Sequence, residues 1–208
     1  MTTPAQPYFE TVKSFADVPI TADGVDTEQF LSACDGLVAL FDLLGSAIFG
    51  FVQADIRTNI AGVRQQFNAS PTHSTTLESL VLHERSQPGS RHKGSKCLIL
   101  LTRGLAFTHN ALHATHADPA LPLQTCFRRA YDVVLKQHHT FVVRSVVTVA
   151  LHPTPTRAQF FTQISQGADT DSNNSAKFNT ALTNWLVGLN TVVQRTKGFL
   201  EEGEYGRV

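Results

Sequence analysis

The sequence predicts an all-α fold, and three observations support this class. Apolar residues recur mainly at helical spacing along the chain. Segments in which apolar and polar residues alternate, as they do in half-buried strands, are hard to find. The 208 residues are 42% hydrophobic and 16% charged, which is enough material for one well-packed core. We therefore expect a single domain over residues 1–208, with a polar N-terminal lead over about residues 1–25.

Two buried helices are expected in the first third of the chain. Asp26 or Thr27 can cap the first helix, whose apolar stripe consists of Phe30, Cys34, Leu37, Phe41, Leu44 and Ile48. Gly50 is expected to separate it from a second helix, whose apolar stripe consists of Val52, Ile56, Ile60, Val63 and Phe67. The Asn-Ala-Ser-Pro sequence over residues 68–71 should end the second helix.

The middle of the chain predicts three helical stretches, over about residues 75–84, 96–115 and 123–151. The last of these is rich in β-branched residues in its second half, but its pattern remains helical. Residues 86–95 form a basic, flexible loop with two glycines and a lysine. Its Gly-Ser-Lys order, without a preceding strand, argues against a nucleotide-binding loop.

Two more helices are expected in the last quarter. Pro153 and Pro155 should end the preceding stretch, and a short helix follows near residues 156–166. A polar loop is expected over residues 167–175. The final helix is long and should end at Gly203, and its apolar stripe consists of Phe178, Leu182, Trp185, Leu189, Val192 and Phe199.

Composition and charge argue against several classes of function. Seventeen basic and seventeen acidic residues cancel, so there is no basic field to hold nucleic acid. No segment approaches the roughly 18 apolar residues that span a bilayer, and the first thirty residues do not resemble a secretory signal. We therefore expect a cytoplasmic protein in which Cys34, Cys97 and Cys126 are reduced core thiols.

Catalysis has no positive support in the sequence. His109, His113 and His116 lie along one face of the predicted fourth helix, where a metal could bind. No carboxylate stands at ligand spacing beside them, and no zinc-binding motif or nucleophile elbow is present. We expect a solvated histidine face, no metal, no cofactor and no enzymatic activity.

A polar edge on the second helix is more informative. Asp55, Asn59 and Gly62 follow one another at i, i+4 and i+7, beside the apolar stripe. A carboxylate and an amide there can grip sugar hydroxyls or a lipid amide, although an ordinary solvated edge gives the same pattern. His139 falls on an apolar stripe with Leu135 and Val142, where it is either a core histidine or a ligand-binding one.

Three short motifs together resemble the glycolipid transfer protein family. They are Asp55-x-x-x-Asn59, Arg103-Gly-Leu-x-Phe107 and Leu135-Lys-x-x-His139-x-Phe141. The fungal heterokaryon-incompatibility members are the most similar branch, with which residues 14–20 (Ser-Phe-Ala-Asp-Val-Pro-Ile) also agree. The resemblance extends from about residue 8 to residue 201.

The resemblance implies a two-layer sandwich of about eight helices that encloses an apolar lipid chamber with a polar headgroup site at its mouth. It also implies movement of sphingolipids between membranes without a cofactor or an energy source. The expected partners are a sphingolipid, with glycosylceramide first, and a membrane surface that is contacted transiently. We expect a monomer.

Several site residues are carried over by the resemblance. Asp55 and Asn59 match the family's sugar and amide anchors, and His139 matches the histidine that binds the ceramide acyl carbonyl. Two positions depart from the pattern. Gly62 stands where glycolipid-binding members have a lysine, and Leu100 stands where they have a tryptophan that stacks on the sugar ring.

The phosphate-selective branch, which carries ceramide 1-phosphate, is an alternative. That branch uses basic residues at the positions of Asn59 and Ile99 together with an arginine matching Arg103, and only Arg103 is present here. Arg103 could instead orient Asp55. A second alternative is a lipid sensor or adaptor that does not transport.

The remaining expectations concern apolar contacts. Phe141 stands where many members carry a membrane-touching tryptophan, so we expect it either at the membrane or in the core. Phe107, Leu135 and Val142 are expected to line the lipid chamber.

Overall fold

The computed structural model describes residues 8–44, 47–151, 154–165 and 172–208. Over these ranges the chain forms helices and turns with no strand, which confirms the all-α class. The α-helices are α1 (Tyr8–Thr11), α2 (Thr27–Leu44), α3 (Ala47–Ala69), α4 (Leu77–Ser86), α5 (Lys93–Ala117), α6 (Leu123–Val134), α7 (Phe141–Ala150), α8 (Arg157–Ser165) and α9 (Ser172–Glu202). Short 3-10 turns lie at Phe15–Asp17, Pro71–His73 and Lys136–His138.

The long helix α5 organises the molecule. It packs against α3, α4, α6 and α9, while α2 packs against α3 and α8. The apolar stripes predicted for α3 and α9 face this core, where Ile56, Val63 and Trp185 are buried. Burying such stripes between helices is the main source of stability in an all-α fold.

Polar side chains set the helix starts. Asp26 Oδ1 accepts from the Gln29 backbone N–H at 2.8 Å, so Asp26 caps α2 as predicted. The buried Glu84 carboxylate accepts from the backbone N–H groups of Gly94 and Ser95 at 2.8 and 2.7 Å. These N–H groups have no partner inside the helix, so Glu84 satisfies the N-terminus of α5 from a neighbouring helix.

A close backbone contact fastens the N-terminal segment to α9. Phe15 packs edge-to-face on Trp185 at a centroid distance of 5.3 Å. A Cβ built on Gly188 would lie 2.5 Å from the Phe15 carbonyl carbon and nearer still to Ala16. Glycine at position 188 therefore allows the 3-10 turn at Phe15–Asp17 to lie directly on the helix.

The boundary predicted at Gly50 was wrong. Gly50 lies inside α3, and Ile48 belongs to α3 and not to the first long helix. An exposed glycine costs a helix only about 1 kcal/mol, so the surrounding turns continue through it. The polar loop expected over residues 167–175 was also too long, because α9 begins at Ser172, while residues 167–171 and Pro153 lie outside the described ranges.

The continuous helix expected over residues 123–151 is two helices, α6 and α7, joined by a turn. Thr140 caps α7 by accepting from the Val143 N–H at 3.5 Å. Arg144 Nε donates to the carbonyl oxygens of Lys136 and His139 at 3.0 and 2.9 Å. A side chain thus takes carbonyls that a continuous helix would have paired with backbone N–H groups.

Across the described ranges, none of the helices is long and apolar enough to cross a bilayer. The three cysteines are free thiols, with Cys34 and Cys126 buried and Cys97 half-buried. This agrees with the expectation of reduced core thiols.

Candidate functional site

A cavity of about 320 Å³ lies among α3, α5, α6 and α7. Most of its wall is apolar, formed by Val52, Ile56, Leu100, Gly104, Phe107, Leu135, Val143, Val147, Ala150 and Leu151. Its polar lining is Asp55, Arg103, Tyr131, His138 and His139. Three motifs that are far apart in the sequence therefore meet around one mainly apolar space.

Asp55 and Asn59 form the polar edge of α3 at this cavity. Asn59 is 3% exposed, and its Nδ2 donates to the Asp55 backbone oxygen at 2.9 Å and to Asp55 Oδ2 at 3.2 Å. Partial burial raises the pKa of Asp55, while the Asn59 hydrogen bond and the nearby His139 act in the opposite direction. Asn59 is not among the residues that line the cavity, and its contact with the cavity runs through its hydrogen bond to the Asp55 carboxylate.

His139 lies in the turn between α6 and α7, with an extended backbone, and not on the helical stripe on which we placed it. It is half-buried, and its Nδ1 lies 3.2 Å from the Tyr131 hydroxyl. Burial lowers the pKa of His139, as do Arg103 and Arg144, whereas Asp55 raises it. The imidazole is therefore neutral at pH 7 and faces the same cavity as the Asp55 carboxylate.

Arg103 lines the cavity but is held from outside it. Its Nε and Nη2 donate to the backbone oxygen of Arg207 at 3.0 and 2.6 Å. These contacts direct its guanidinium to the C-terminal segment, and they do not support the alternative in which Arg103 orients Asp55. Burial lowers the pKa of Arg103, although an arginine remains charged at any ordinary pH.

The family model described as "Glycolipid transfer protein (GLTP)" matches residues 25–166. The chain belongs to the glycolipid transfer protein family. It is 33% identical over 202 residues to a glycolipid transfer protein of Aureobasidium melanogenum, covering 97% of this chain and 96% of that protein. It is also 34% identical over 157 residues to human pleckstrin homology domain-containing family A member 8, covering 74% of this chain and 30% of that longer protein.

Solved structures show the same glycolipid transfer protein fold, the two-layer helical sandwich that the resemblance implied. The crystal structure of HET-C2, a fungal glycolipid transfer protein, has a TM-score of 0.81 and 34% identity, covering 93% of this chain and 96% of that one. The GLTP-fold structure of FAPP2 has a TM-score of 0.86 and 29% identity, covering 96% and 97%. Mouse ceramide-1-phosphate transfer protein has a TM-score of 0.81, covering 96% and 98%, but at 23% identity it shows the fold alone.

Gly62 and Leu100, the two positions at which we expect a departure from the family's headgroup pattern, differ in how much room surrounds them. Leu100 is 43% exposed and lines the cavity, so a larger side chain fits there. Gly62 is buried, and a Cβ built on it would lie 2.9 Å from Cys97 Cβ and nearer still to Cys97 Sγ. The Cys97 side chain thus occupies the space into which a lysine at position 62 would extend.

Helix α7 places its residues differently from our prediction. Val142 is 70% exposed and does not line the cavity, so assigning it to the chamber was wrong. Val143 and Val147 of the same helix line the cavity instead. Phe107 and Leu135 lie in the wall as expected, whereas Phe141 is 82% exposed and is therefore not a core residue.

Two polar cavity residues were missed from the sequence. Tyr131 lies on α6 eight positions before His139, and nothing in its spacing distinguishes it from a core tyrosine. His138 was noticed only as the neighbour of His139. Its Nε2 is buried without a hydrogen-bond partner among the described residues.

The histidine face of α5 lies outside the cavity. The rings of His109 and His113 stack at a centroid distance of 5.5 Å, and His116 Nε2 lies 3.1 Å from Thr183 Oγ1. Within the described part of the chain, no three metal-ligating side chains come together. Of the three histidines, His113 is exposed, whereas His109 and His116 are half-buried, so the face is only partly solvated.

Proposed function

We propose that this protein binds one sphingolipid in the cavity and carries it between membranes, without catalysing a reaction. A glycosylceramide is the preferred cargo. The observation that supports this proposal is the single cavity in which apolar walls meet the Asp55 carboxylate and the His139 imidazole. These two groups lie near enough for each to shift the pKa of the other.

The apolar wall suits a hydrocarbon chain. Each CH₂ group removed from water contributes about 0.8 kcal/mol, so a lipid chain gains strongly from an enclosed apolar space. The cavity of about 320 Å³ is at the lower end of the range for ligand pockets. Helix α7 has no buried residue, and its outward displacement would enlarge the cavity at little cost in packing.

The polar lining suits the polar part of a glycosylceramide. The Asp55 carboxylate accepts hydrogen bonds from sugar hydroxyls, and Asn59 holds it in place. His139 provides a nitrogen for the amide region of the ceramide. FAPP2, at 29% identity, selects simple glycosphingolipids, and the Aureobasidium relative is a glycolipid transfer protein. These relatives support a glycolipid as the cargo.

The outer face of α7 is the proposed membrane contact. Phe141, Val142, Val146 and Val149 are all exposed there, while Val143 and Val147 of the same helix line the cavity. A bilayer that covers this face removes apolar surface from water directly beside the lipid chamber. The contact is transient, and the protein acts as a cytoplasmic monomer.

The test is transfer of fluorescent glucosylceramide between uncharged vesicles, with ceramide 1-phosphate in parallel. Hydrogen bonds to a charged group contribute about 1.5–3 kcal/mol, so Asp55→Asn should slow glucosylceramide transfer by about 10- to 100-fold. Asp35→Asn is the matched control, because Asp35 lies in an exposed ion pair with Arg64, away from the cavity. It should leave transfer unchanged.

Three outcomes would contradict the proposal. Equal rates for Asp55→Asn and Asp35→Asn would separate transfer from the assigned headgroup site. Faster transfer of ceramide 1-phosphate than of glucosylceramide would indicate a phosphate-selective site in which Arg103 binds the headgroup. Binding of glucosylceramide without transfer between vesicles would favour the alternative of a lipid sensor or adaptor.

A further inference from the structure

Three contacts immobilise His139, and among the described residues they leave one of its two ring nitrogens without a hydrogen-bond partner. Its backbone N–H donates to the Lys136 oxygen at 3.3 Å, and its backbone oxygen accepts from Arg144 Nε at 2.9 Å. On the ring, Nδ1 lies 3.2 Å from the Tyr131 hydroxyl oxygen. In the described part of the chain, Nε2 is the polar atom of His139 that has no such partner.

The direction of the Tyr131–His139 hydrogen bond follows from the donors available. Neutral imidazole has one N–H donor and one acceptor nitrogen. The Tyr131 side chain is buried, and its hydroxyl has no acceptor other than His139 Nδ1 among the described residues. A phenol hydroxyl is a stronger donor than a neutral imidazole N–H, and an imidazole nitrogen is a stronger acceptor than a phenol oxygen, so Tyr131 donates and Nδ1 accepts. The imidazole proton must then be on Nε2.

Burial also keeps the donor protonated. It raises the pKa of Tyr131 above its ordinary value, so the phenol holds its proton throughout the physiological range. Burial lowers the pKa of His139, and together with Arg103 and Arg144 it outweighs Asp55, which raises that pKa, so the ring is neutral at pH 7. A neutral ring is the state in which the choice of tautomer has consequences.

We propose that Tyr131 is a positioning residue that selects the Nε2–H tautomer of His139, so that the cavity presents a hydrogen-bond donor to a carbonyl oxygen. The opposite tautomer would present a lone pair, which suits a hydroxyl or an amide N–H and repels a carbonyl. Tyr131 thus makes the site selective for a lipid whose linkage exposes a carbonyl. This inference rests on the proposed function only for the identity of the ligand.

The first arm of the test needs no lipid. The full chain with ¹⁵N-labelled histidines is examined by long-range ¹H–¹⁵N NMR at pH 8, where protonated and unprotonated ring nitrogens have well-separated shifts. His139 should be fully Nε2–H in the wild type and a mixture of tautomers in Tyr131→Phe. Tyr205→Phe is the control, because the Tyr205 ring packs on Phe199 away from the cavity. An Nδ1–H tautomer in the wild type, or an unchanged pattern in Tyr131→Phe, overturns the inference.

The second arm is a double-variant cycle on glucosylceramide affinity. One net hydrogen bond corresponds to about a three- to tenfold change, so Tyr131→Phe should weaken binding by that factor. In a His139→Leu background the same substitution should change affinity less than about twofold, because the effect passes through His139. Equal losses in both backgrounds overturn the inference, because they show that Tyr131 contacts the ligand independently or supports the wall.

The two arms separate this inference from the proposed function. A wild type that binds no glucosylceramide contradicts the function, while the NMR arm still decides the tautomer. A wild type that binds the lipid but has the opposite tautomer contradicts the inference alone.

Discussion

Replacing Gly62 by alanine tests whether the Cys97 side chain fills the space beside position 62. The new Cβ would lie 2.9 Å from Cys97 Cβ and nearer still to Sγ, so the Cys97 side chain must move. Overpacking of this kind costs about 1–3 kcal/mol. Alanine is favoured over glycine in a helix by about 1 kcal/mol, which offsets part of that cost.

Gly198→Ala isolates the packing cost. Gly198 is also helical, and the nearest atom to its built Cβ is Glu202 Oε1 at 3.9 Å. This control should gain about 1 kcal/mol from helix propensity alone. The difference in unfolding free energy between Gly62→Ala and Gly198→Ala is therefore the overpacking cost, about 1–3 kcal/mol in favour of Gly198→Ala.

Urea denaturation and thermal unfolding measure this difference, which corresponds to about 2–4 °C per kcal/mol in a domain of this size. Adding Cys97→Ala to Gly62→Ala should recover part of the loss. Equal stabilisation by Gly62→Ala and Gly198→Ala would refute the reasoning and leave position 62 free to accept a lysine. The expected result instead means that the family's lysine can return at position 62 only together with a smaller residue at position 97.

Three further outcomes are expected. Gly188→Ala should lower the unfolding free energy by about 3 kcal/mol, because its Cβ would overlap the backbone of Ala16; urea denaturation checks this. Asp55→Asn should leave the melting temperature of the lipid-free protein equal or higher at pH 7. Burial raises the pKa of Asp55, so the ionised carboxylate destabilises the fold above that pKa. The difference in melting temperature between Asp55→Asn and the wild type should therefore shrink in acid. Burial lowers the pKa of His109 and His139, so in mild acid the unfolded chain binds more protons than the folded protein. The melting temperature should therefore fall as the pH is lowered from about 7.5 to 5.5, and the fall should be less steep in His109→Gln.

Local patterns in the sequence were sufficient for most helices. The stripe from Ile56 to Val63 and the cap at Asp26 depend on residues within a few turns of one another, and both are present. The break between α6 and α7 could not be found in this way, because Leu135 and Val142, on either side of it, keep helical spacing across the polar residues 136–140. In the structure the Arg144 side chain binds two carbonyls of the turn that follows α6, a contact between residues of different elements.

The sequence predicted which residues belong to the site better than it predicted the hydrogen bonds and packing contacts that they make. The sequence motifs bring Asp55 and His139 to one cavity, but Arg103 binds a backbone oxygen 104 positions away, which no local pattern indicates. Helix α7 carries apolar residues on both faces, so spacing could not decide between Val142 and Val143 for the cavity wall. The resemblance led us to expect a lysine at the position of Gly62, whereas the contact between Gly62 and the Cys97 side chain could not be predicted from the sequence.

The exposed helix α7 has a consequence for how cargo is released. One of its faces borders the cavity and the other is exposed, and within the described ranges none of its residues is buried. When a lipid occupies the cavity, its chain would pack against the inner face of α7 and become part of the apolar interior. Loading should therefore raise the melting temperature, and above the dissociation constant the rise should follow the logarithm of the free lipid concentration. In the proposed membrane contact, a bilayer that covers the outer face of α7 would give this helix a new apolar neighbour as the lipid departs.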